Sequence, residues 1–183
     1  MDARRSAWLA TAGTDDRLRL RAPTPADGVA LHDLIRRSPP LDLNSCYAYL
    51  LHGLHFADTC VLAEGESGPA AYISAYIPPR QPDTLFVWQV AVDARQRGRG
   101  LARQLLLHLL ARPACAGVRW LDTTVSPDNA PSARLFHGLA DTLGCPCTVS
   151  DLFSAADFGG AHHPAEQLFR LGPFVRSRED NMQ

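Results

Sequence analysis

One stretch constrains the fold more than any other. Gln89-Val90-Ala91-Val92-Asp93-Ala94-Arg95-Gln96-Arg97-Gly98-Arg99-Gly100-Leu101-Ala102 runs from an apolar segment through a Gly-x-Gly turn directly into a helical pattern. Leu85 to Val92 reads as a long buried strand, and Leu101, Leu105, Leu106 and Leu109 as one apolar helix face ending near Pro113. Such a turn exposes several backbone N–H groups around one point. Gly98 and Gly100 permit the φ values and the close backbone approach this needs. The helix N-terminus adds about half a unit of positive charge. Phosphate is the natural guest, and Arg95, Arg97 and Arg99 can add charge-assisted hydrogen bonds. The plainer alternative is a glycine turn with solvated arginines. A Rossmann turn is a third, because Asp122 lies at a suitable distance for a ribose contact. Against it, Arg103 occupies the third glycine position and the preceding segments read as a β-meander. A Walker loop is excluded, since all 18 basic residues are Arg and Lys is absent. Schiff-base catalysis by Lys is excluded on the same ground.

The remaining segments complete an ordered pattern. Leu18-Arg19-Leu20-Arg21 alternates as a short strand, and Pro23 to Asp27 starts a helix with Val29, Leu31, Leu34 and Ile35 on its apolar face. Asn44 or Ser45 caps a second helix, with Tyr47, Leu50, Leu51 and Leu54 along its face. Cys60-Val61-Leu62-Ala63 and Ala71 to Ile77 form a hairpin around Glu64 to Gly68. Val118 to Val125 is a strand, Pro127-Asp128-Asn129 opens a helix, and Cys147 to Val149 and Gln167 to Leu171 are strands. The order β–α–α–β–β–β–α–β–α–β–β predicts a mixed sheet with helices on both faces. We expect a single domain over 17–173, between flexible tails over 1–16 and 174–183.

With 183 residues, 46% of them apolar, one compact domain is expected and no apolar run spans a bilayer. Eighteen basic against 19 acidic residues leave a net charge of −1, so nucleic acid is not expected as a partner, and with no spanning run neither is a membrane. The odd, irregularly spaced set Cys46, Cys60, Cys115, Cys145 and Cys147 predicts reduced thiols and a cytoplasmic location. Cys145-Pro146-Cys147 has the wrong spacing for a redox or zinc motif.

Arg95-x-x-Gly98-x-Gly100 after a strand resembles the signature of the GNAT acyl-CoA acetyltransferase superfamily. Asn129-Ala-Pro-Ser132, opening the next helix but one strand later, is similar to its Asn-x-x-Ser/Ala segment beside the pantetheine arm. The resemblance implies an α/β (α+β) GNAT fold with a mixed, mostly antiparallel, twisted sheet. It implies acetyl-CoA as co-substrate, held by Val90, Val92, Arg95, Arg97, Gly98, Arg99, Gly100, Leu101, Ala102, Asn129 and Ser132. Many members place a Tyr eight positions into the helix after Asn129, where it protonates the leaving thiolate. Phe136 occupies that position here, so another group or bulk water must serve.

Leu41-Asp42-Leu43-Asn44-Ser45, Trp88, Thr124 to Asn129 and His163-Pro-Ala-Glu166 further resemble the diaminobutyrate-acetylating family within the superfamily. That resemblance covers about residues 18 to 172. It implies acetyl transfer to the γ-amine of a diamino acid, the step preceding ring closure to ectoine, in a homodimer and by direct transfer in a ternary complex. The chemistry is demanding: an amine of pKa about 10.4 is only about one part in 10³ neutral near pH 7.4, which costs about 4 kcal/mol. A base or desolvation must supply that.

Of four glutamates, Glu166 alone lies beside an expected strand and near histidines, making it the lead catalytic carboxylate; the alternative is a solvated strand-end acid. His163 can orient Glu166 or relay its proton. Adjacent His162 and His163 point apart and no further ligand cluster is evident, so no metal is expected. Asp42 either anchors a substrate ammonium or caps the second helix. Trp88 is a core aromatic or a wall of the diamine pocket; Tyr47 lines the pocket or belongs to the apolar helix face; Thr124 is placed with them at the substrate. Rival functions are acetylation of another small amine, such as an amino acid or antibiotic, and a silent acyl-CoA-binding module.

Overall fold

The computed structural model describes residues 18–159 and 163–174. The tails expected over 1–16 and 174–183 fall outside that range, except Phe174, which is buried and donates its N–H to the Arg119 carbonyl at 3.0 Å. The elements are β1 (Arg19–Arg21), α1 (Gly28–Arg36), α2 (Cys46–His55), β2 (Val61–Gly65), β3 (Gly68–Tyr76), β4 (Thr84–Val92), α3 (Leu101–Leu110), β5 (Trp120–Val125), α4 (Ala130–Leu143), β6 (Cys147–Phe153) and β7 (Glu166–Leu171). Their order is the one expected. The seven strands form one mixed sheet in the order β1-β2-β3-β4-β5-β7-β6. Its β1–β2, β2–β3, β5–β7 and β6–β7 ladders are antiparallel, and β4–β5 is parallel. Among the described residues, no helix is long and apolar enough to cross a membrane.

Packing divides the chain into two compact units. One holds the described residues up to Ala75 with Gln89–Ala116; the other holds Tyr76–Trp88 with the described residues from Gly117.

In the first unit, Leu31, Leu34, Ile35, Tyr49, Cys60, Leu62, Tyr72 and Ala91 make a continuous buried cluster. Arg21 ties β1 to the start of α1 and to β2, donating to Asp27 at 2.7 and 2.8 Å and to Glu64 at 2.8 and 3.0 Å. That pairing draws the Asp27 carboxyl down to about 2. Two expectations about helix faces fail. Val29 is exposed on α1. On α2 the buried residues are Tyr49, His52 and Gly53, whereas Tyr47 and Leu54 are 66% and 62% exposed. The reason is close approach: a Cβ on Gly53 would collide with the Thr24–Pro25 backbone, so this glycine line must face inward. The polar ends beside it are satisfied inside, His52 Nδ1 lying 3.0 Å from the Tyr72 hydroxyl.

In the second unit, β5 lies between β4, paired over Thr84–Val87, and β7. Phe136, Leu139 and Ala140 form the buried face of α4. Strand β6 is the sheet edge and is exposed along nearly its whole length.

Candidate active site

The Gly-x-Gly turn folds as an open backbone cradle. Past β4, Asp93 is buried and accepts from Arg95 N–H at 3.0 Å, Arg95 Nε at 2.9 Å and Arg37 Nη1 at 3.2 Å. The Arg95 hydrogen bonds hold its carboxyl at about 2. A single 3-10 turn over Ala94–Gln96 follows. Gly98 and Gly100 then take φ of 76° and 73°, the left-handed region that L side chains avoid. A Cβ at either would meet nothing within 4 Å, so the turn faces open space. Gly100 caps α3 without a side-chain bond, and the first intrahelical bond is Gln104 N–H to the Gly100 carbonyl at 3.1 Å. The N–H groups of Leu101, Ala102 and Arg103 therefore have no acceptor within their own helix.

Arg95 is committed to Asp93 while remaining at the surface. Arg97 Nε donates to the Val92 carbonyl at 3.1 Å, and Arg99 Nη1 to Gln96 Oε1 at 2.6 Å. The arginines thus brace the turn through part of each guanidinium. Val90 and Val92 are half-buried on the strand leading into it.

In the same unit, residues 42–45 form an irregular segment entering α2. The N-cap is Ser45, which removes the helix-cap reading of Asp42, three residues further out. Asp42 is exposed, and its carbonyl accepts from Gln89 Nε2 at 2.7 Å. Gln89 Oε1 accepts in turn from the Tyr49 hydroxyl at 3.3 Å. Asn44 Nδ2 is buried with no hydrogen-bond partner among the described residues. Gln89 is the residue that sequence reasoning missed as a side chain. Its signal was an uncharged polar group inside an apolar strand.

In the second unit, Trp88 is 48% exposed, which overturns its reading as a core aromatic. Its side chain points off the face that buries Val87 and Gln89. Thr124 is half-buried on β5, opposite Leu168 of β7. Asp122 is buried and accepts from Arg170 Nε at 2.9 Å, and that guanidinium lies 5.1 Å over the Trp120 ring. Burial pushes the Asp122 carboxyl up while Arg170 opposes the shift. An aspartate engaged this way does not serve a ribose, which closes the dinucleotide reading. Asn129 caps α4, its side chain accepting from Ser132 N–H at 3.2 Å, and Phe136 is buried.

Glu166 opens β7, half-buried and opposite Phe153 of β6. His163 Nδ1 lies 2.8 Å from the Pro164 carbonyl, and its ring stacks on Phe158 at 3.9 Å. A carbonyl only accepts, so Nδ1 carries a proton. His162 lies outside the described residues. No group of three or more His, Cys, Asp or Glu among the described residues could hold a metal ion.

The acetyltransferase (GNAT) family model matches residues 29–139. The chain is 51% identical over 160 residues to the L-2,4-diaminobutyric acid acetyltransferase of Bordetella parapertussis, covering 87% of this chain and 86% of that protein. It is 45% identical over 158 residues to the Halomonas elongata protein of the same name, covering 86% and 82%. Among solved structures it superimposes on diaminobutyrate acetyltransferase from Paenibacillus lautus, in complex with its substrate L-2,4-diaminobutyric acid and coenzyme A. There the TM-score is 0.84 at 45% identity, over 87% of this chain and 97% of that one. The glycine cradle, the capped α4 and this shared architecture place the chain in the GNAT acetyltransferase family, among the L-2,4-diaminobutyric acid acetyltransferases.

Proposed function

We propose that the protein transfers the acetyl group of acetyl-CoA to the γ-amine of L-2,4-diaminobutyrate, giving Nγ-acetyl-2,4-diaminobutyrate for ectoine biosynthesis. The observation that carries this reading is the likeness, at 45% identity and TM-score 0.84, to an enzyme solved with that substrate and coenzyme A. The cradle fits the co-substrate: open space at two left-handed glycines and three helix N–H groups without helical acceptors suit a pyrophosphate. Val90, Val92, Arg95, Arg97, Gly98, Arg99, Gly100, Leu101 and Ala102 would hold it, with Asn129 and Ser132 beside the pantetheine arm.

Acetyl-CoA supplies an activated thioester; the chain's residues prepare the amine. Asp42 holds the α-ammonium, so acetylation falls on the γ-nitrogen. Trp88, Tyr47 and Thr124 are the further substrate-binding residues of this reading, and the exposed Trp88 ring can meet a cation. Glu166, assisted by His163, takes the γ-ammonium proton. The neutral nitrogen attacks the thioester carbon; as the C–N bond forms and the C–S bond breaks, the nitrogen gives up its second proton to water and the thiolate takes one from water, Phe136 having no proton to give. A backbone N–H of β4 stabilises the oxyanion.

The reading includes one functional domain over 17–173, supported by a family match spanning parts of both units. It includes a cytoplasmic location, supported by Cys46, Cys60, Cys145 and Cys147 standing as thiols. It includes a homodimer, supported by the β6 edge and its exposed Val149, Leu152 and Phe153.

Assay of diaminobutyrate beside ornithine, lysine and an aminoglycoside, with NMR of the product, tests the proposal. Turnover is expected to favour diaminobutyrate with acetyl on Nγ. Preference for another amine, α-acetylation, or tight CoA binding without turnover would each overturn it.

A further inference from the structure

Gln89 is 4% exposed, and its amide is bonded to the Asp42 segment and to α2 within the first unit. From β4, Nε2 donates to the Asp42 carbonyl at 2.7 Å, and Oε1 accepts from the hydroxyl of Tyr49 on α2 at 3.3 Å. The direction of both bonds is set by chemistry. A carbonyl can only accept, so the amide NH₂ must face Asp42, and the amide oxygen is left for the tyrosine O–H. Tyr49 is itself fully buried, edge-on to His52 at 5.6 Å, so the clamp is anchored in the core.

What the clamp holds has no regular structure. Residues 42–45 lie between the Leu41 N–H to Ser38 bond and the Ala48 N–H to Ser45 bond, outside any helix or strand. A buried amide fixing the first residue of such a segment trades loop freedom for one backbone position. The neighbouring residue on β4, Trp88, carries its side chain on the opposite face of the strand.

We infer that Gln89 is a positioning residue for the diamine substrate: its buried amide fixes the Asp42 segment and thereby sets the chain length of the amine that fits. This rests on the reading of Asp42 as the ammonium anchor. Gln89 touches no reacting atom. It acts through Asp42, and displacement of the anchor by about 1 Å is enough to spoil the alignment of the distant amine.

The test is Gln89→Met, which keeps shape and removes both hydrogen-bonding functions. The KM for diaminobutyrate is expected to rise about 10-fold or more, with the acetyl-CoA KM within about 3-fold of the parent. The kcat/KM ratio of diaminobutyrate to ornithine is expected to fall about 5-fold or more. Amide hydrogen exchange in residues 42–46 is expected to accelerate. Tyr49→Phe, which removes one hydroxyl from the same clamp, is expected to move these readouts the same way by about 2- to 5-fold, and it stands as the test if Gln89→Met does not fold. A merely structural role would lower Tm and leave the KM split and the substrate ratio in place, overturning the inference. So would unchanged exchange in 42–46. If the parent enzyme does not acetylate diaminobutyrate, the proposed function fails, and the exchange measurement still decides whether Gln89 fixes the segment.

Discussion

Asp93 and Glu166 are both acids at strand ends, and their surroundings differ. Asp93 is buried under Arg95 and Arg37, which keep it ionised down to about 2. Its folded pKa lies below the unfolded value, so its contribution to stability is present above about pH 4 and is lost as pH falls toward 2. Asp93→Asn should cost about 1–3 kcal/mol at neutral pH and flatten the stability profile between pH 4 and 2, as read by urea melts across that window. Glu166 is half-buried at the start of β7. Glu166→Gln should lower kcat/KM for diaminobutyrate by about 10²-fold or more at neutral pH. The loss should shrink at high pH, where the amine is already neutral. A variant within about 3-fold of the parent at every pH would return Glu166 to a solvated strand-end acid.

Elements follow local rules until packing overrides them. The strand–turn–helix around Gly98 was legible because φ preference and hydrophobic period are local properties. Gly98→Val should raise the acetyl-CoA KM by about 10-fold or more while circular dichroism stays unchanged, because the added Cβ meets open space and only the turn's conformation is strained. An unchanged KM would remove the turn from the co-substrate site. Helix α2 is the opposite case. Its most apolar stripe, Tyr47, Leu50 and Leu54, faces outward, and the less apolar line through Tyr49, His52 and Gly53 faces the core. Gly53→Ala, which drives a methyl into the Thr24–Pro25 backbone, should destabilise the fold by about 2 kcal/mol or more in thermal or urea melts. The same substitution at Gly138, where a Cβ meets nothing within 4 Å, should not destabilise.

At the scale of the molecule, the sheet ends on β6, a seven-residue strand with apolar side chains in solvent. Such an edge invites a partner. If the proposed dimer forms across this edge, Val149→Arg should shift sedimentation toward monomer, and a parent that sediments as a monomer would refute the proposed dimer. The order of the eleven strands and helices, the glycine cradle and the Asn129 cap were all readable from the chain, because each is written in residues within a few positions of one another. Other features were settled only by tertiary structure: the inward face of α2, the exposure of Trp88, the Arg170 partner of Asp122 and the clamp of Gln89 on Asp42. Asp122 and Arg170 are 48 positions apart, Gln89 and Asp42 47, and Gln89 and Tyr49 40. Local periodicity records how apolar a residue is. Which partner satisfies a buried polar group depends on what the folded chain brings beside it.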